Sequence, residues 1–327
     1  MKRKIISILV SAIFLFLVLR KVDFQETWNV LQRIDLLYLL AAPFLFAGEV
    51  SLRNLRWHFI LNRSDTIGYK SVNCIAFIGL MVNNLLPARI GELVRVWIVS
   101  RRSLISRSSA LTSVILDRLF DGLTVVLILF AAVAFFKAPE WINNTAKIGG
   151  AFFIGGVLFF FFVVLYNKFF IRMLNRFLNN RDEKIIIFFH KKMNNLLKGL
   201  DVIKSFPMLL SATVISFLAW LGESFFYYGV TLSFGFDLSY TALLILTSIV
   251  ALSIVLPSTP GYIGVHQFAV VQTLAVFGIA YNQAFGFALV VFVIQYLTVL
   301  FAGLFSISAI GISWKEITRK KFDEKEL

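Results

Sequence analysis

The sequence predicts an all-α fold: a polytopic transmembrane helical bundle with two broken, re-entrant helical hairpins arranged as an inverted repeat. Three observations predict it. Of the 327 residues, 59% are hydrophobic and 15% charged, and the mean hydropathy is +0.83, too apolar for a soluble domain of this size. The apolar runs reach the ~20 residues needed to cross a bilayer core. Two of these runs are interrupted by the same break, Pro87-x-x-Ile90-Gly91 and Pro260-x-x-Ile263-Gly264.

The elements follow in order. Lys2, Arg3 and Lys4 precede an apolar run, but Leu19-Arg20-Lys21 follows it in place of a small-residue cleavage site, so 5–20 reads as a retained first helix. Further apolar segments lie at 35–61, 70–86, 108–136, 147–167, 207–234, 239–256, 262–280 and 283–312. Basic residues set the orientation. They crowd the N-terminus, the connections near 61–70 (Arg56, Arg63, Lys70) and 101–107 (Arg101, Arg102, Arg107), and the C-terminus (Lys315, Arg319, Lys320, Lys321). The connection 168–206 holds nine Lys/Arg against three Asp/Glu. All of these are expected on the cytoplasmic side of the cell membrane, both termini included. The net charge of +14 then reflects loops facing anionic lipid and not a nucleic-acid partner.

These assignments agree only if 70–86 enters from the cytoplasm, breaks at Pro87 and returns as a half-helix, 90–100. The second break is open to two readings, re-entrant or a turn between complete spans, because both of its arms are long enough to cross. The connection 168–206 interleaves Ile185–Phe189, Leu196, Leu197 and Leu200 with its basic residues, which suits a basic amphipathic helix on the inner leaflet. The chain 1–327 is thus expected to be one integral membrane domain, with 35–167 and 207–312 as its repeat halves.

The repeat rests on shared offsets. Gly48-Glu49 recurs 174 residues later as Gly222-Glu223, and the Pro-x-x-Ile-Gly break recurs after 173. The helix carrying Glu49 runs outside to inside and that carrying Glu223 runs the other way, the pattern of an inverted repeat. Discontinuous helices in such repeats build sites at the membrane midplane. Proline is sterically tolerated at the start of each half-helix, because its missing N–H would be unpaired anyway. The N–H groups near Ala88 and Gly261 are then expected to face the centre from opposite sides and to favour an anion.

Glu49, Arg53, Arg89, Glu92, Arg95, Asp117, Arg118, Asp121 and Glu223 all fall in or near apolar segments. Each costs about 2.5–3.5 kcal/mol at a helix centre if it faces lipid, so they are expected to face one another or a wet cavity. Glu49 and Arg53 share a helix face. Asp117 and Asp121 repel at the same spacing and need a cation, for which Arg89 and Arg95 are candidates. Arg89 and Glu92 sit at the break itself, and the planar fork of arginine suits phosphate. Arg56 and Arg63 read as interfacial anchors. His266, one turn beyond the second break, is the histidine placed for a site role.

Cys74 alone excludes an intramolecular disulfide and reads as a packing residue. No spacing resembles a metal site, and no nucleophile elbow, Walker loop or dinucleotide fingerprint is present. These absences argue against an enzyme and against a cofactor.

Three motifs carry a family resemblance: Asn83-Asn84-Leu85-Leu86-Pro87-Ala88-Arg89-Ile90-Gly91-Glu92-Leu93-Val94-Arg95, Asp117-Arg118-x-x-Asp121, and Pro260-Gly261-Tyr262-Ile263-Gly264-Val265. In this order, over nearly the whole chain, they resemble the flippase-like, lysylphosphatidylglycerol synthase transmembrane-domain family. In the full-length aminoacyl-phosphatidylglycerol synthases this membrane part translocates the charged lipid, while a soluble domain transfers the amino acid from tRNA. The resemblance implies the flippase-like part alone here, with a phospholipid or glycolipid as partner and a separate lipid-modifying transferase as a further one. It adds Asn84, Gly261, Gly264 and Gln267 to the candidate site. Relatives often continue Gly-Val-x-Glu where this chain has Gly264-Val265-His266-Gln267, so a different headgroup is implied if that Glu reads the substrate's cation.

The expected function is therefore a membrane lipid translocase for an anionic or aminoacylated headgroup, with Glu49, Glu92 and Glu223 as candidate proton carriers. The alternatives are a subunit that holds a lipid for a separate lysyltransferase or glycosyltransferase, and a small-anion transporter.

Overall fold

The computed structural model describes residues 2–61, 67–86, 89–166, 205–256 and 259–319, and all regular structure among them is helical. Arg63, Pro87, Ala88 and nearly all of the basic connection 168–206 lie outside the described residues.

Helix α1 (Lys2–Leu19) is followed by short α2 (Phe24–Leu31) and α3 (Leu36–Leu39), each started by an aspartate. Asp23 accepts from Glu26 N and Asp35 from Leu37 N, pairing N–H groups that the helices leave unbonded. Helices α4 (Ala42–Leu61), α5 (Tyr69–Leu85), α6 (Ile90–Arg102), α7 (Arg107–Ala134) and α8 (Glu140–Leu165) complete the first part. The second part contains α9 (Phe206–Ser233), α10 (Tyr240–Ser253), a 3-10 turn (Pro260–Tyr262), α11 (Val265–Val276), α12 (Tyr281–Ile310) and the short α13 (Trp314–Arg319).

Three stretches among the described residues are both long and apolar enough to cross a membrane: Leu36–Leu61, Phe206–Ser233 and Tyr281–Ile310. Helices α7 and α8, of 28 and 26 residues, also have spanning length. The two broken pairs are different. Helices α10 and α11 have 14 and 12 residues. At 1.5 Å per residue they reach about 21 and 18 Å, short of the ~30 Å hydrocarbon core. Hydropathy runs through the turn residues at each end, whereas the helices stop short of them, so the second break joins two arms shorter than a full span; at the first break α5 has 17 residues and α6 13.

The contacts have a two-fold pattern. Helix α4 packs on α9; α5 packs on α6 and α12, and α10 on α11 and α7. Helix α6 packs on α7, and α11 on α12. Exchanging α4 with α9, α5 with α10, α6 with α11 and α7 with α12 turns each of these contacts into another. Helices α1 and α2 lie outside this exchange, on α11 and α12 respectively, and α8 lies on α7 and α10.

Close approach explains the glycine of each break. A Cβ on Gly91 would lie 1.9 Å from the Gly79 carbonyl oxygen, so only glycine lets α6 fold back against α5. Gly264 has φ +88°, and a Cβ there would lie 2.6 Å from the Ser11 carbonyl oxygen of α1. Outside the core, Phe16, Phe44, Phe152, Phe206, Phe301 and Phe305 are exposed, a surface suited to acyl chains.

Candidate functional site

Between α4, α5, α7, α9, α10, α12 and the second break lies a cavity of about 160 Å³. Its polar lining includes Arg53, Arg95, Arg118, Glu223 and His266, and Trp220, Tyr262, Phe292 and Tyr296 supply aromatic faces. Charged groups from four helices, α4, α6, α7 and α9, reach it. On α4, Glu49, Arg53 and Arg56 follow one another at spacings of four and three.

Arg56 is the hub. Its guanidinium is fully buried, with Nη2 at 2.7 Å from Asp117 Oδ1 and 2.8 Å from Asp121 Oδ1, while Nη1 donates to Ser216 Oγ at 2.8 Å. This corrects the expectation of an interfacial anchor. Position near the end of an apolar run suggested an interface, whereas the packing of α4 against α7 and α9 encloses the side chain. Arg56 is also the main partner of the two aspartates. Arg95 adds a contact to Asp117 Oδ2 at 3.2 Å, and Arg118 one to Asp121 Oδ2 at 3.4 Å. Arg89, the other expected partner, points elsewhere; its guanidinium carbon lies 5.6 Å from the centre of the Tyr262 ring.

Glu92 is held by Arg95 Nη1 at 3.1 Å and by Arg118, whose Nε donates to Glu92 Oε1 at 3.0 Å. Arg53 pairs with Glu223 and, at 2.7 Å, with Glu49. Trp220 lies against the Arg53 guanidinium at 4.0 Å and Trp57 against that of Arg95 at 3.9 Å, which adds attraction to the ring faces. Among the directly ion-paired groups, five carboxylates (Glu49, Glu92, Asp117, Asp121, Glu223) thus share four guanidiniums (Arg53, Arg56, Arg95, Arg118), one negative charge in surplus, with Arg89 acting on Glu92 from farther off.

Several buried polar atoms here have no hydrogen-bond partner within the protein: Oε1 of Glu49, Nε of Arg53 and of Arg95, the Tyr227 hydroxyl and both ring nitrogens of His266. Each such group costs about 1–3 kcal/mol, so a polar occupant of the cavity stabilises the fold around it.

The structure places the sequence-nominated residues in three zones. Asn84, Arg95, Asp117, Arg118, Asp121, Glu223, Gly261 and His266 line the cavity. Glu49 and Glu92 stand behind the arginines that they hold, and Arg89 sits at the rim over Tyr262. Gly264 and Gln267 are engaged in capping: Gly264 N donates to Gln267 Oε1 at 2.7 Å, and Gln267 is buried. At the other break Gly91 N donates to Asn83 Oδ1 at 2.8 Å. Each half-helix therefore spends one of its leading N–H groups on an amide side chain, which weakens the anion site expected there. Sequence reasoning missed Arg56, Asn83 and the aromatic wall. Arg56 was detectable from its spacing of seven from Glu49; the aromatics carried no distinguishing signal among 36 Phe.

A buried, charge-paired cavity flanked by two broken helical hairpins, inside a helical bundle with an apolar exterior, fits a polytopic membrane protein. The chain belongs to the family described as the lysylphosphatidylglycerol synthase TM region, which matches residues 4–303. It is similar to UPF0104 membrane protein MJ1078 of Methanocaldococcus jannaschii, 25% identical over 229 residues, covering 68% of this chain and 92% of that protein. A UPF0104 membrane protein of Methanothermobacter thermautotrophicus is 25% identical over 295 residues, 86% of each chain. No solved structure matches the chain.

Proposed function

We propose that the protein is a membrane lipid translocase whose substrate headgroup carries both a phosphate and a cationic group, as an aminoacylated phospholipid does. The observation that carries this reading is the charge balance of the cavity. Three arginines (Arg53, Arg95, Arg118) and three carboxylates (Asp117, Asp121, Glu223) line it, and Glu49 and Glu92 stand behind paired with the same arginines, so its guanidiniums are committed and it favours a cation over an anion. Trp220, Tyr262, Phe292 and Tyr296 add ring faces that favour an ammonium. At the rim, Arg89 has no carboxylate within ion-pair distance among the described residues, Glu92 acting on it only from farther off, and its guanidinium can meet a phosphate.

In this reading the phosphate meets Arg89, the ammonium enters the cavity and the acyl chains stay in lipid. A volume of 160 Å³ is below the range of about 300–1,000 Å³ typical of ligand pockets, so the conformation described is closed around the site. Admission of a headgroup requires the two halves, 35–167 and 207–312, to rock apart as an inverted repeat does. Cytoplasmic termini, with the α5–α6 hairpin entering from that side, belong to the same proposal. Membership of a lipid-related family supports it.

The test is translocation of acyl-labelled aminolipid by the purified protein in liposomes, read by chemical quenching of the outer leaflet. Movement that is lost in Arg89→Ala supports the role of the rim. Binding of the lipid without movement would instead identify a subunit that holds a lipid for a transferase. The surplus of carboxylates weighs against the small-anion transporter.

A further inference from the structure

Glu49 on α4 and Glu223 on α9 are partners in the two-fold exchange of contacts, and both reach the same nitrogen, Arg53 Nη2. One guanidinium neutralises one carboxylate. Three arginines, Arg56, Arg95 and Arg118, hold the other three acids, Glu92, Asp117 and Asp121. The surplus charge of the cluster therefore belongs to the Glu49–Glu223 pair.

The surroundings cannot absorb it. The Glu49 side chain is 1% exposed; its Oε2 meets Arg53 at 2.7 Å and its Oε1 has no hydrogen-bond partner. Helix α4 presents Arg53 and Arg56 to this zone, and α7 presents Asp117, Arg118 and Asp121. Helix α9 adds Tyr227, whose hydroxyl is also unpartnered; α5 adds only the amides of Asn83 and Asn84. From α12, Gln295 Nε2 reaches Glu223 Oε1 at 3.5 Å, and Tyr296 faces the cavity, as do Tyr262 and His266 from the second break and α11. Glu223 lines the cavity, so the pair communicates with it.

We infer that the Glu49–Glu223 pair binds one exchangeable proton, and that this proton and the cationic part of the headgroup compete for the same unit of negative charge. Proton uptake forms one O–H bond on a carboxylate as a hydronium ion in the cavity becomes water, and the Glu49–Arg53–Glu223 group changes from −1 to neutral; release reverses both. Occupation by an ammonium neutralises the same charge without a proton. The two therefore exchange, which couples headgroup movement to a pH gradient. The coupling rests on the translocase reading; the proton site does not.

Two measurements on the full-length protein separate them. In the first, pH-jump infrared difference spectra of the purified protein are expected to show a carboxylic-acid carbonyl band that is lost in Glu49→Gln and in Glu223→Gln and retained in Glu49→Asp. Absence of any such band in the wild type overturns the proton site. In the second, proteoliposomes carry phosphatidylethanolamine labelled on an acyl chain, with and without a pH gradient. The gradient is expected to change the wild-type rate, and Glu49→Gln is expected to lose that response. Lipid movement indifferent to the gradient overturns the coupling while leaving the translocase intact. A titrating band without lipid movement overturns the translocase reading and upholds the proton site.

Discussion

Arg89 and Tyr262 face each other across the two breaks, the guanidinium carbon 5.6 Å from the ring centre, and they are the only non-glycine residues with positive φ among the described residues (52° and 60°). They also occupy the same place in the repeated motif, two residues after Pro87 and Pro260. A left-handed backbone on a residue with a Cβ costs about 1–2 kcal/mol. Strain at equivalent points of both hairpins, relieved by neither chain choosing glycine, points to the side chains as the reason for retaining it.

Arg89→Gly and Tyr262→Gly should therefore remove side chains without unfolding the protein. Thermal unfolding in detergent should shift little or upward, while lipid movement in liposomes falls. Arg89→Val, β-branched at a left-handed position, should lower stability by about 1–3 kcal/mol.

Arg56 should be the residue least tolerant of replacement. Arg56→Met leaves Asp117 and Asp121 buried with much of their compensation gone, a loss expected at about 3–5 kcal/mol. Arg56→Lys keeps the charge but not the planar fork that reaches Asp117, Asp121 and Ser216 together, so it should rescue only partly. Denaturation midpoints of the three proteins check this order.

Gly91→Ala should separate α5 from α6, because the new Cβ meets a backbone oxygen that cannot move alone. A destabilisation of about 1–3 kcal/mol is expected. Gly48→Ala is the control: no atom lies within 4 Å of its Cβ position, and a helical Gly→Ala change should stabilise by up to about 1 kcal/mol.

Gln267→Glu should leave the start of α11 intact, since a carboxylate accepts from Gly264 N as the amide does and favours a helix N-terminus. Headgroup preference among labelled lipids should be unchanged. A switch in preference would return this position to the substrate site.

The fold class, the positions of both breaks and the offset that relates them were legible in the sequence, because bilayer thickness and backbone hydrogen bonding impose patterns that a linear chain displays. So was the Glu49–Arg53 pair, which needs only helical spacing. The half-length of α10 and α11 was not, since apolar turn residues at Ile254–Leu256 and Phe277–Ile279 hide the helix ends from hydropathy. Nor was the burial of Arg56, the diversion of Gln267 to a cap, or the assignment of five carboxylates to four guanidiniums. Those depend on which faces of α4, α7 and α9 meet. Sequence spacing determines which residues share a helix face; only the packed bundle decides what each face is turned towards, and so where the surplus charge at Glu49 and Glu223 resides.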